Sequence, residues 1–246
     1  MSLHYLYTLL VTDPIIIVMT ILFGTFSVLA SFFDSRGKIQ HQIAVTWSRI
    51  LLRIGGVSVE VEGLERIDTT RSYVFVANHL SLIDTPAMLA HIPVDFRFIA
   101  KRSLFRIPFL GTHLTRAGHI PIVRDDPRSA VKSMVEAARI LRERKVSIML
   151  FPEGSRSMGP MKEFKEGAAF IAIKAGVPVV PVGVMGTLDI LPTGSAYVKP
   201  GRIRLRLGAP IPTDHLSVKD REAFTRTIRD KVGELIGQPG AVAADA

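Results

Sequence analysis

Twenty consecutive residues, Pro14 to Phe33, carry no charged side chain. As a helix they would run about 30 Å, one hydrocarbon thickness. A helix apolar on every side has no place on the surface of a small globular domain and favours lipid. The segment before it, Leu3 to Thr12, is also apolar. Val28-Leu29-Ala30 resembles a signal-peptide cleavage site, but Met1 to Thr12 holds no Lys or Arg and the apolar region is too long for a leader. The expectation is a retained anchor. Asp13-Pro14 and Gly24 are two places where it could break, so a full crossing and a dip into one leaflet both stay open. Arg36, Lys38, Arg49 and Arg53 follow it, and the positive-inside bias then puts the rest of the chain in the cytoplasm, on the inner face of the cell membrane.

Lys38 to Ile54 is amphipathic. Ile39, Ile43, Trp47, Ile50, Leu51 and Ile54 share one helical face, with Lys38, Gln42, Arg49 and Arg53 elsewhere. Trp47 and the arginines suit a helix lying at headgroup level. Packing of the same face on the body of the protein is the alternative. Gly55-Gly56 ends the helix.

The remainder alternates short apolar runs with helical periods. Strands are expected at Val57–Val61, Tyr73–Ala77, Phe96–Ala100, Ile120–Val123, Val146–Phe151, Val179–Val184 and Ile203–Leu207. Helices are expected at Pro86–Ala90, with Thr85 as its cap, at Phe109–Arg116, from Asp126-Pro127, at Glu166–Ala175 and after the Ser217-x-x-Asp220 box. The pattern is α/β: a mixed sheet flanked by helices behind an N-terminal membrane-anchoring segment. The division expected is 1–55 anchor, 56–237 α/β body and 238–246 disordered tail.

Charge narrows the partners. A net charge of +9 suits an anionic one, while 7% aromatics and the lack of any nucleic-acid motif argue against DNA or RNA. With no cysteine there is no thiolate nucleophile and no thiolate metal site. The chain also lacks a G-x-S-x-G elbow, a P-loop, G-x-G-x-x-G and H-E-x-x-H. No metal or resident cofactor is expected.

Four ordered stretches carry the chemistry. Asn78-His79-Leu80-Ser81-Leu82-Ile83-Asp84 leaves a strand and meets a helix, and its spacing lets the Asp84 carboxylate return to the His79 ring. That would fix the tautomer and free the other nitrogen as a base. Lys101 stands at a strand end, where α/β sheets place their ligands, in a basic segment mixed with Phe and Leu. Gly118 to Arg124 is a strand closed by arginine. Phe151-Pro152-Glu153-Gly154-Ser155-Arg156-Ser157 follows the most apolar strand, with Gly154 for a tight turn and Arg156 as a fork of donors for phosphate.

Together these stretches resemble the glycerolipid acyltransferase family, most closely its 1-acylglycerol-3-phosphate acyltransferases. Asn78–Asp84 matches N-H-x4-D. Lys101, Leu104, Pro108 and Gly111 match K-x-x-L-x-x-x-P-x-x-G. Phe151–Ser157 matches F-P-E-G-T-R-S with Ser155 for threonine, Phe164, Lys165 and Gly167 match F-K-x-G, and Val177–Val182 matches the last block. Pro121 and Val123 stand where the family usually has an aromatic and an acidic residue. The resemblance implies transfer of an acyl group from acyl-CoA or acyl carrier protein to lysophosphatidic acid, forming phosphatidic acid. It assigns His79 and Asp84 to catalysis, and Lys101, Arg124, Glu153, Gly154, Ser155 and Arg156 to the substrate. A different lyso-lipid acceptor, such as a lyso-ornithine lipid, and a non-catalytic lipid-binding protein are the alternatives.

Overall fold

The computed structural model describes residues 6–123, 126–195 and 197–238. Arg124 and residues 239–246 of the expected 238–246 tail lie outside them; Gln238 is described, its N–H bonded to Gly233 O and its side chain accepting from Met161 N–H. Helix α1 (Asp13–Ala30) continues a π turn at Thr8–Thr12. The wide turn has a cause in Pro14, whose ring would crowd the carbonyl four residues back. Asp13 N–H donates instead to Thr8 O. Neither Asp13-Pro14 nor Gly24 breaks the helix. The 23 residues Thr8–Ala30 are long and apolar enough to cross a membrane, by length and composition, and are almost entirely exposed. Ile17, Val18, Phe26 and Leu29 all face outward, whereas Thr8, Thr12 and Ser27 are buried. Three hydroxyl residues, Thr8, Thr12 and Ser27, thus face the protein, while many aliphatic side chains, with Thr20 and Thr25, stay exposed.

Helix α2 (Lys38–Ile54) has the expected bounds, and the face it buries deepest in the body is not the apolar stripe. Gln40, His41, Val45, Ser48 and Leu52 are the residues it buries. Ile39 is exposed, and Ile43, Trp47 and Ile50 are half-buried. The reason is polar. His41 Nδ1 lies 3.6 Å from Asp95 Oδ1, and Gln40 Nε2 donates to Asp34 O, so hydrogen-bonding groups turn inward. Trp47 Nε1 donates to Thr20 Oγ1 of α1 at 3.2 Å.

The body follows as β1 (Val57–Glu62), β2 (Val74–Ala77), α3 (Asp84–His91), β3 (Phe96–Lys101), a 3₁₀ turn (Arg102–Arg106), α4 (Leu110–Arg116), β4 (Ile120–Ile122), α5 (Pro127–Arg144) and β5 (Ser147–Leu150). It ends with α6 (Gly167–Ala175), β6 (Val179–Met185), α7 (Thr187–Ile190), β7 (Gly201–Leu207) and α8 (Arg221–Ile236). Helix α3 starts at Asp84, not after a Thr85 cap. A carboxylate in the first turn of a helix meets the positive end of its dipole.

The strands order as β1-β7-β6-β2-β5-β3-β4. Every pairing is parallel except β6 with β7. Side chains alternate along β2. Phe75 and Ala77 join Leu52, Met88 and Phe96 in one core layer under α2 and α3. Val74 and Val76 join Leu141, Ile171 and Ile228 in the other, under α5, α6 and α8. Because β2, β5 and β3 run in parallel, their C-terminal ends share one rim. Asn78-His79 follows β2, Phe151 to Ser157 follows β5, and Lys101 closes β3.

Candidate active site

Asn78 anchors the end of β2. Its amide nitrogen donates to Val184 O at 2.9 Å, and its carbonyl accepts from Val184 N–H at 2.8 Å. The side chain thus continues the β2–β6 ladder where the backbones separate. His79 leaves at that point of divergence.

The Asp84 carboxylate is fully buried. Its Oδ2 receives three donors: His79 Nδ1 at 2.8 Å, Leu80 N–H at 2.8 Å and Ser81 N–H at 2.9 Å. A carboxylate accepts, so the Nδ1 of His79 carries the proton and Nε2 is left as the basic nitrogen. The ring is partly exposed, its side chain at 15%. The ring of Phe151 lies against it, centroids 4.0 Å apart and planes 16° from parallel.

Glu153 has a different setting from the one expected of a substrate contact. It is buried, and its carboxylate is engaged inside the protein. Oε1 accepts from the backbone N–H of His79 at 2.7 Å. Oε2 accepts from the hydroxyl of Ser157 and from Lys162 N–H. Ser157 N–H in turn donates to His79 O at 2.8 Å. The two loops, one from β2 and one from β5, are therefore tied through Glu153, Ser157 and His79. Gly154 turns at φ +73°, and a side chain there would meet the stem of Lys165.

The cations differ in how they are held. Arg156 is half-buried and Lys101 is exposed, and neither side chain has a hydrogen bond or ion pair with any other of the described residues. Ser155 Oγ and Arg156 O both accept from Lys162 Nζ at 2.9 Å. Arg124 lies outside the described residues, just past β4. A cavity of about 630 Å³ opens behind the rim, between β5, α5 and α6, with Ile99, Met134, Phe151, Phe164 and Phe170 in its wall.

The motifs included Asn78, Phe151 and Ser157 but not their roles, Asn78 as a bridge to β6, Ser157 as a partner of Glu153 and Phe151 as a wall to the histidine ring, and Lys162 was missed altogether. The partners of Asn78 and Phe151 lie on another strand or loop, and Ser157 also reaches across to His79 O.

A second polar cluster sits where α1 and α2 meet the body. Arg97, 1% exposed, pairs with Asp95 and donates to Phe96 O and Arg36 O. Burial pushes His41 and His113 down to about 4, and His119 well below the usual histidine range. His113 Nδ1 is hydrogen bonded to Ser27 Oγ of α1 at 2.6 Å. His119 Nδ1 accepts from Phe98 N–H at 2.9 Å, which fixes a neutral tautomer.

Residues 58–185, just over half of the chain, match the family described as Acyltransferase. The chain is 35% identical over 206 residues to a chloroplastic 1-acyl-sn-glycerol-3-phosphate acyltransferase of Arabidopsis thaliana, covering 82% of this chain and 56% of that protein. Against the alpha form of 1-acyl-sn-glycerol-3-phosphate acyltransferase from Ovis aries, identity is 34% over 202 residues, with coverage of 76% and 70%. The chain spans little more than half the length of its plant relatives from Arabidopsis thaliana and Brassica napus. The crystal structure of the 1-acyl-sn-glycerophosphate (LPA) acyltransferase PlsC from Thermotoga maritima superposes with a TM-score of 0.77 at 29% identity, over 95% of this chain and 98% of that one.

Proposed function

Because this chain belongs to the acyltransferase family, we propose that it moves a fatty acyl group from a thioester, acyl-CoA or acyl carrier protein, to the free hydroxyl of 1-acylglycerol-3-phosphate. The product is phosphatidic acid. The observation that carries the reading is the His79–Asp84 pair on a rim that also presents Arg156 and Lys101, with Nε2 of His79 and both cations unpartnered among the described residues.

Nε2 takes the proton of the acceptor hydroxyl as its oxygen attacks the thioester carbonyl. The new C–O bond forms, the C–S bond breaks, and the imidazolium returns the proton to the departing thiolate. Asp84 holds the ring and balances its positive charge during the step. Base assistance of this kind contributes about 10²–10⁴ in rate. Arg156, Lys101 and Arg124 receive the acceptor's phosphate, with Gly154 and Ser155 shaping the turn beside it. Glu153 acts at one remove, by fixing the His79 backbone.

The exposed apolar face of α1 supports attachment to a membrane, and the cations that follow it favour a cytoplasmic body at the inner membrane. In this reading residues 1–55 form the anchor and 56–237 the catalytic body. The test is an assay of purified full-length protein with labelled acyl donor and a set of lyso-lipids, beside His79→Ala. Transfer to lysophosphatidate that His79→Ala abolishes supports the reading. Preference for a phosphate-free acceptor moves the assignment to another lyso-lipid. Lipid binding with no transfer to any acceptor overturns it.

A further inference from the structure

We propose that a column of three rings, Phe151, Phe98 and His119, positions the imidazole of His79, and that the column is seated on α1 through His113 and Ser27. The inference rests on His79 being the base described above.

Asp84 holds one atom of the imidazole. A single hydrogen bond at Nδ1 leaves the ring free to swing about that contact, and Nε2, the reacting atom, lies on the far side. A flat wall against the ring face removes that freedom. Phe151 supplies it at 4.0 Å and 16°. Phe151 follows the last residue of β5, so the ladder does not fix it, and it needs support of its own. That support is Phe98 in β3, 15° from parallel with centroids 6.4 Å apart.

Phe98 is held in turn. Its ring stacks on His119 at 5.9 Å and 27°, and its own N–H donates to His119 Nδ1. His119 meets His113 at 5.7 Å, and His113 is bonded to Ser27. Ser27 is 2% exposed on a helix whose side chains are mostly exposed. The hydroxyl that α1 buries here therefore ends a continuous packed path to the catalytic ring. Protein interiors are dense enough that a shift at one member displaces the next. The seat of α1 against α4 thus sets the pose of His79.

Coupling of this kind is measured by a double-mutant cycle, since contacts along one path are not additive. Full-length protein in lipid nanodiscs would be compared as Phe151→Leu, Ser27→Ala and the pair. Phe151→Leu should lower kcat by roughly 10-fold with both KM values unchanged, because small misplacements of a reacting group are costly. Phe151→Tyr, which restores the ring, should recover it. Ser27→Ala should lower kcat by about 3-fold, with Ser27→Thr recovering, and the double variant should fall little below Phe151→Leu alone. A double variant equal to the product of the singles overturns the proposal, as does an unchanged kcat in Phe151→Leu. An activity-independent reading comes from ¹⁵N-histidine NMR. The His79 ring signals should move in Ser27→Ala while sedimentation with vesicles stays as in the parent protein. Unmoved His79 signals refute the column even if acyl transfer to lysophosphatidate holds. Absence of transfer to any acceptor refutes the function instead.

Discussion

Asn78 and Val184 are paired as if both belonged to a ladder, although one contributes its side chain and the other its backbone. The bridge closes the gap that opens as β2 and β6 diverge, and His79 is the next residue. Asn78→Leu would leave the N–H and C=O of Val184 buried and without partners. Each such group costs about 1–3 kcal/mol, so a loss of roughly 2–5 kcal/mol is expected. Asn78→Asp should lie close to it, because a carboxylate faces the Val184 carbonyl. Chemical denaturation of the two variants in detergent would measure both.

Asp84→Asn should keep the fold and lose turnover. The backbone N–H groups of Leu80 and Ser81 select which amide atom occupies the Oδ2 position: an oxygen satisfies them, an NH₂ opposes them. The amide nitrogen then falls at the Oδ1 position, which has no partner among the described residues. The ring keeps its tautomer but loses the charge that balances the imidazolium. A fall in kcat of about 10²-fold or more is expected, with the circular dichroism spectrum unchanged. An equal fall in thermal stability would mean that the carboxylate serves the fold and not the reaction.

Arg156 has no counter-ion among the described residues, although it is half-buried. A phosphate that it grips by two oxygens would lose one on substitution by lysine. Arg156→Lys should raise the acceptor KM by roughly 10-fold and leave the donor KM in place, as expected for a lost binding contact. The two substrates must be varied separately. A rise in the donor KM instead would place Arg156 on the phosphates of coenzyme A.

The buried histidines predict acid lability. His41 and His113 hold their protons only at pH about 4, and His119 is also held well below the usual histidine range, because burial disfavours the charged ring. The unfolded chain takes up those protons near pH 6.5. Between about 6.5 and 4 the unfolded state therefore binds more protons than the folded one, and stability falls as pH falls. The ceiling is on the order of 3 kcal/mol for His41 and for His113. The melting temperature should decline through this window, and His113→Phe should flatten the decline. The same cluster joins α1 and α2 to the body, so loosening should begin at that joint, visible as faster amide exchange in 110–120.

The outline of the fold was legible from apolar runs and caps because those are local. Strand and helix bounds mostly fall within one or two residues of expectation. The meeting of His79 and Asp84 was legible for the same reason: five residues and a helix start bring them together. The buried face of α2 was not. A stripe of Ile39, Ile43, Trp47 and Ile50 outweighs Gln40, His41 and Ser48 in any count of hydrophobicity. Asp95 beside His41 and the Asp34 carbonyl bonded to Gln40 Nε2 hold that face inward, and both lie outside the helix; Ser48 Oγ has no partner among the described residues. Phe151 was likewise read as part of a motif, with nothing nearby in sequence to reveal His79 against its face. Glu153 was legible as important but not in its connections, since its three donors come from His79, Ser157 and Lys162.

The outermost pairing of the sheet joins chain segments far apart. Strand β1 lies parallel to β7, and Glu62 pairs with Arg206, 144 residues downstream. During synthesis β1 therefore waits, an open edge, until nearly the whole body has been made. Ser27 waits too, since His113 is made long after it. Whatever receives the apolar α1 as it emerges does so before there is a body for it to dock on. Long-range pairings of this kind form late and leave edges exposed meanwhile. A polypeptide stalled before β7 would therefore carry an unclaimed strand, and one stalled before His113 an unclaimed seat on the lipid-seeking helix as well.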